Sequence, residues 1–200
     1  MLGKKVILSL LGNIFIAIGV ALFKLSGQGN DPFGGMNMAL AEVTGVQYGT
    51  FQLLLNIVLL VIQIITAREL LGIGTIINAG LLGYMVTFFY DIFIMIGKPE
   101  LFVIKLVILT FGVLICSLGL SVYQKADCGI APYDALPVIV GKKLKNVPFF
   151  WRRMMFDVTC TLVCFLAGGI IGLGTLAAAF GLGPLISVYN KILFKSDKKA

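Results

Sequence analysis

Histidine is absent from these 200 residues. Its absence removes the commonest general base, the usual Ser–His and Cys–His catalytic pairs, and a leading metal ligand. Charge is scarce as well: Asp, Glu, Lys and Arg make up 12% of the chain, about half the share of a soluble domain. Cysteine is limited to four residues. Cys116, Cys160 and Cys164 lie in apolar runs and Cys128 in a loop. Cys160 and Cys164 share a helix face by spacing, but no further ligands accompany them, so they read as small buried hydrophobes. This inventory predicts no metal, no cofactor and no nucleophile–base constellation, and the chain is not expected to be an enzyme.

Apolar residues are what the chain has in excess. They make up 59% of it, with a mean hydropathy of +1.03. Such a chain cannot present its surface to water, and reads as one integral membrane domain whose main partner is the lipid bilayer. Lys and Arg outnumber Asp and Glu by 16 to 9. A nucleic-acid partner does not follow, because the basic residues cluster between and after the apolar runs, where membrane topology puts them.

Apolar runs predict helices at about 6–25, 50–67, 71–96, 101–124, 149–167 and 173–194. Each is long enough for a hydrocarbon core of ~30 Å. The first resembles a signal peptide in its charge-then-apolar order, but it is also half of a repeat, so it is expected to be a membrane span. At an offset of 100, Gly12, Gly19, Gly72, Gly74, Thr75, Ala79 and Gly83 meet identical residues at 112, 119, 172, 174, 175, 179 and 183. The pattern predicts an all-α membrane fold of six transmembrane helices in two three-helix repeats, residues 1–97 and 98–200. Because three is odd, the second copy enters from the opposite side, giving an inverted-topology repeat.

Charge supports that topology. With the N-terminus in the cytoplasm, the inner side receives Lys4, Lys5, Arg68, Lys125, Lys142, Lys143, Lys145, Arg152, Arg153, Lys191, Lys195, Lys198 and Lys199. The outer side receives Lys24, Lys98 and Lys105. Both termini are therefore expected to be cytoplasmic. The pairs Ala79-x-x-x-Gly83 and Ala179-x-x-x-Gly183 are expected to pack helices closely.

After the first span comes "GQGNDPFGG" at 27–35, and "DCGIAPYDA" occupies the matching place at 127–135. Residues 32–45 form a helix of ~20 Å at most, too short to cross. Asp31 is a good N-cap, Pro32 suits the first helical position, and Gly45 is a normal stop. Two readings stand side by side: a helix lying at the interface, or a re-entrant half-helix with its N-terminus turned inward. In the second copy Ala131 cannot cap, Asp134 falls in the first turn, and Pro137 is expected to kink or restart the helix. If both N-termini face the interior, the end left bare by Ala131 is a place for an anionic or carbonyl group of a substrate.

Polar residues within the spans are few. Asn56 and Asn78 read either as lining of a central cavity or as interhelical hydrogen-bond partners. Asp157 reads as a functional acid or as an i,i+4 partner of Arg153. Asp91 lies near the outer end of its helix, within reach of water. The candidate substrate-binding set is Asp31, Pro32, Phe33, Asn56, Asn78, Gly129, Pro132, Tyr133, Asp134 and Asp157.

The order G-x-G-x-D-P-F, then Asn56, Arg68, "GIGT", Asn78, Gly83 and Asp91 resembles the bacterial YczE/YyaS/YitT family of multi-span membrane proteins, the YczE branch most. The resemblance runs along essentially the whole chain, without the soluble C-terminal domain of longer YitT-type members. It implies a bacterial inner-membrane protein and leaves the substrate, a small molecule or ion, unspecified. Three functions compete. One is a small-solute permease, suggested by the repeat and its paired broken segments. Another is the substrate-binding membrane subunit of a multi-component importer with an ATPase partner. The third is a non-transporting envelope assembly partner. A homodimer is compatible with each.

Overall fold

The computed structural model describes residues 2–193, and every element among them is helical. The helices are α1 (Leu2–Ser26), α2 (Pro32–Thr44), α3 (Tyr48–Thr66), α4 (Ile73–Ile96), α5 (Phe102–Lys125), α6 (Pro132–Lys143), α7 (Phe149–Leu166) and α8 (Leu173–Leu193). A 3-10 turn at Arg68–Leu70 precedes α4, and a π-helical stretch at Ala177–Gly181 interrupts α8. Ser196, Lys195, Lys198 and Lys199 lie outside the described residues.

Helices α1, α3, α4, α5 and α8 are long and apolar enough to cross a bilayer, which makes the chain a multi-pass membrane protein. The run at 149–167, expected as a sixth span, is not among these five. Its helix α7 has 18 residues and carries Arg152, Arg153 and Asp157. Charges are costly in hydrocarbon unless they face protein. Here Arg152 donates to the Pro137 carbonyl at 2.9 Å, and Arg153 and Asp157 pair with other side chains.

The centre of the molecule is the contact between α1 and α5. A Cβ on Gly12 would lie 2.8 Å from Tyr123 Cβ, one on Gly19 2.5 Å from Cys116 Cβ, and one on Gly119 2.5 Å from the Ile16 nitrogen. Early residues of α1 therefore face late residues of α5, and the two helices run antiparallel. Only glycine lets the backbones come this close. Helix α4 flanks α1 and α8 flanks α5.

One bond recurs in both halves. Gly74 N–H donates to the Cys128 carbonyl and Gly174 N–H to the Gln28 carbonyl, both at 2.7 Å. Each glycine-rich turn thus rests on the last long helix of the other half. Gly29 and Gly129 take φ of +93° and +111° in these turns, a region that side chains resist, and a Cβ on either would collide with Thr175 or Thr75.

The short helices cross over in the same way. Helix α2 packs on α3 and α7, and α6 on α7 and α3. Pro137 is accommodated within α6, which runs unbroken from Pro132 to Lys143. The ends of the elements sort into two faces. Lys5 pairs with Asp127 at 3.0 Å and Lys142 with Glu69 at 2.6 Å at one face. Lys24 lies over the Tyr90 ring at 4.0 Å at the other.

The halves differ at one seam. Helix α3 packs against α4 through Gly49 and Gly83. A Cβ on Gly83 would sit 2.7 Å from Gln52 Oε1 and 3.0 Å from Gly49 Cα. The matching helices α7 and α8 stand apart, and Gly183 has nothing within 4 Å of a Cβ. The close packing expected at Ala179-x-x-x-Gly183 is therefore absent, while that at Ala79-x-x-x-Gly83 is present. At the matching positions, Phe149 and Arg152 replace Gly49 and Gln52; Phe149 is exposed, and Arg152 turns to α6, onto the Pro137 carbonyl.

Candidate functional site

Helix α2 begins where its sequence says it should. Asp31 Oδ2 accepts a hydrogen bond from Gly34 N–H at 2.8 Å, Pro32 fills the first position, and Asn30 Oδ1 accepts from Asp31 N–H at 2.9 Å. The helix ends at Gly45 with φ of +69°. Helix α6 also begins with proline, Pro132, but Ala131 supplies no capping bond. Pro32 and Pro132 are buried. The residues that follow them, Phe33 and Tyr133, stack with ring centroids 4.4 Å apart. The N-termini of the two short helices therefore meet inside the protein.

A charged chain continues from Tyr133. Its hydroxyl donates to Asp157 Oδ1 at 2.6 Å. Arg153 donates from Nε to Asp157 Oδ2 at 3.4 Å and from Nη1 to Asp134 Oδ1 at 2.6 Å. The Arg153 guanidinium also lies 5.3 Å from the centre of the Tyr133 ring. Burial, helped by the Asp157 carboxylate, pushes the Tyr133 phenol well above its ordinary range, so it stays a donor. The network belongs to the second half alone. Positions 33, 34, 53 and 57, which match 133, 134, 153 and 157, hold Phe, Gly, Leu and Ile.

These groups surround a cavity of about 110 Å³. It is lined by Asp31, Pro32, Phe33, Asn56, Asn78, Tyr133, Asp134 and Asp157, all of the expected set except Gly129 and Pro132. Pro132 is buried beside it, and Gly129 lines a second space of about 1200 Å³. That larger vestibule lies between α7 and α8 and reaches the face carrying Lys5, Glu69 and Asp127. Asp134, Arg153 and Asp157 border both spaces, so the charged network stands where the vestibule meets the cavity.

The other polar residues divide by role. Asn56 donates to the Ala79 carbonyl at 3.2 Å and Asn78 to Asn13 Oδ1 at 2.7 Å; each is an interhelical partner as well as part of the lining. Asp91 is exposed. Cys116, Cys160 and Cys164 are buried free thiols, and among the described residues no group of His, Cys, Asp and Glu converges to hold a metal. Asp31, in the turn before α2, is half-buried, yet its Oδ1 is closed to solvent and has no partner. Burial pushes its carboxyl up to about 6, against the Gly34 hydrogen bond, which lowers it.

The i,i+4 pairing of Arg153 with Asp157, one of the two expected readings, is present; its bond to Asp134 and the places of Tyr48, Gln52 and Asn13 are not among the expectations. A signal existed for two of these last three. Gln52 and Asn56 form a polar i,i+4 pair in an apolar run, and Asn13 is a lone amide in the first one. Tyr48 carried no such mark.

Residues 3–191 match a family described as a family of unknown function, DUF6198. Relatives include the uncharacterized protein YyaS of Bacillus subtilis, 25% identical over 92% of this chain and 90% of that protein. An uncharacterized protein of Haemophilus influenzae is 26% identical over 95% of this chain and 85% of its own. The uncharacterized membrane protein YczE of Bacillus subtilis is 25% identical over 88% of this chain and 80% of its own. No solved structure gives a significant match. The family expected from the motifs is the one found.

Proposed function

The chain belongs to the family of unknown function DUF6198, and from that premise we propose that it is a small-solute transporter of the bacterial inner membrane. Its plan in this reading is two inverted repeats, with α7 as the sixth span, α2 and α6 as re-entrant half-helices, and both termini cytoplasmic. The antiparallel run of α1 and α5, matching helices of the two repeats, supports the inversion. The gathering of Lys5, Lys142 and their acidic partners at one face supports the orientation.

One observation carries the transport reading: α3 and α4 are closed on each other while the matching α7 and α8 are parted. An inverted repeat in two unlike conformations opens its central site to one side only. Here the open path is the vestibule, and it ends at a small cavity with convergent polar groups, the usual form of a solute site. The state is inward-open.

The test is uptake by the purified protein alone in liposomes, using solutes selected for raising its melting temperature. Uptake that needs no second protein supports the reading. Uptake that appears only with a co-purifying ATPase pair replaces it with the importer-subunit reading. Solutes that bind but never cross, with or without a partner, exclude transport.

A further inference from the structure

We propose that the central cavity takes a compact organic cation, an ammonium or guanidinium group on a small carbon body, with the Asp31 carboxylate as counter-ion and the Phe33 and Tyr48 rings as a wall. The inference rests on reading this cavity as the transporter's solute site, and it goes further by naming the charge of the solute.

Hydrogen-bond accounting comes first. Two polar atoms in the residues lining the cavity are buried without any partner: Asp31 Oδ1 and Gln52 Oε1. Gln52 is only 3% exposed. Both atoms are acceptors; Gln52 Oε1 is turned to Gly83, 2.7 Å from where a Cβ would stand, so the acceptor left for a ligand is the Asp31 carboxylate, and a group that pairs with it must bring donors. Charge points the same way. Asp31, Asp134 and Asp157 line the cavity with Arg153 as the one cation among its lining residues. Arg153 is already engaged by Asp134 and Asp157, which leaves Asp31 with a single N–H donor. A buried carboxylate in that position favours either a proton or a cation, and burial, with the Asp157 carboxylate nearby, pushes its pKa up.

The walls select the kind of cation. A bare metal ion needs a cage of oxygen ligands, and among the described residues no acidic or thiol group of three converges. Aromatic faces attract organic cations through the ring quadrupole; the Tyr133 ring is taken by Phe33 and Arg153, which leaves Phe33 and Tyr48 among the lining residues to supply a face. An anion at the bare N-terminus of α6, the alternative raised by the missing cap at Ala131, would meet Asp134 in the first turn and Asp31 across the cavity.

The experiment uses the full-length protein in detergent at matched ionic strength. Probes are ethylammonium, tetramethylammonium and methylguanidinium chlorides, with sodium acetate and sodium propionate as anions. At least one cation is expected to raise the melting temperature in a saturable way, and neither anion to do so. Asp31→Asn and Asp31→Ser both retain a capping side chain and should keep the fold while losing the cation response. Calorimetry near pH 6 should show protons released as the cation binds. A response to the anions, no response to any cation, or full cation binding by both folded variants each overturns the proposal. The transport reading fails separately. Asp31-dependent cation binding with no passage into liposomes removes transport and keeps the site. Passage of a neutral or anionic solute keeps transport and removes the cation.

Discussion

Phe33 and Tyr133 lie one hundred residues apart in sequence and 4.4 Å apart in space, their rings within 17° of parallel. Each follows the proline that begins a short helix, and their contact joins the two halves at the cavity. A double-mutant cycle of Phe33→Leu and Tyr133→Leu should show coupling of about 0.5–1.5 kcal/mol in stability. Tyr133→Phe keeps the stack but removes the donor to Asp157, and should cost about 1–3 kcal/mol. Thermal or denaturant unfolding in detergent measures both, and additive single mutants would show that the stack carries no energy.

The seam difference makes matched glycines behave unlike each other. Gly83→Ala forces a methyl group against Gln52 and Gly49 and should cost about 1–3 kcal/mol. Gly183→Ala enters open space and should stay within about 0.5 kcal/mol of wild type. Equal losses would mean that α7 and α8 are packed in solution.

Closure of α7 on α8 should bring together the counterparts of residues that touch between α3 and α4. Thr50 and Tyr84 hydroxyls lie 3.4 Å apart, and the matching positions are Phe150 and Pro184. The pair Phe150→Cys and Pro184→Cys should cross-link in part of the population and stop uptake when linked. Failure to link under any solute condition would argue that the vestibule never closes this way.

Arg153 is the one cation holding Asp134 and Asp157 in the network. Arg153→Met removes the ion pair of Asp134 and leaves Asp157 with the Tyr133 hydroxyl, and should cost about 1.5–3 kcal/mol, the worth of hydrogen bonds to charged groups. Combining it with Asp157→Asn should restore part of the loss. If the double variant is less stable than Arg153→Met, the network is not held by charge.

Asp31 should make stability depend on pH. Its folded-state pKa of about 6 lies above that of an unfolded aspartate, about 3.9. Protonation therefore favours the fold. The contribution is complete below about pH 4 and is lost as the pH rises through about 6. The melting temperature of wild type minus that of Asp31→Asn should fall across this window. A difference that rises with pH would show that the cap needs the charge more than burial resists it.

Orientation is open to labelling. Lys98 and Lys145 are both exposed and lie on opposite sides in the proposed topology. In a Cys128→Ser background, Lys98→Cys should react with an impermeant maleimide on intact cells, and Lys145→Cys only after lysis. The reverse pattern would invert the topology.

Local chemistry was legible without the fold. Asp31, Pro32 and Gly45 announced α2 to within a residue, because caps and turns are decided by neighbours in sequence. The glycines at 12, 19, 112 and 119 marked the repeat but not the helix contact they make, and the offset of 100 aligned Phe33 with Tyr133. What sequence by itself determined is thus the apolar helices, their breaks and their twofold repetition, since each depends on hydrophobicity and on residues a few positions away. The tertiary structure alone decided that Phe33 stacks on Tyr133 and that Arg153 bridges Asp134 and Asp157. It decided too that α3 meets α4 while α7 stands away from α8. These depend on distances between helices far apart in the chain, which no pattern of neighbouring residues specifies.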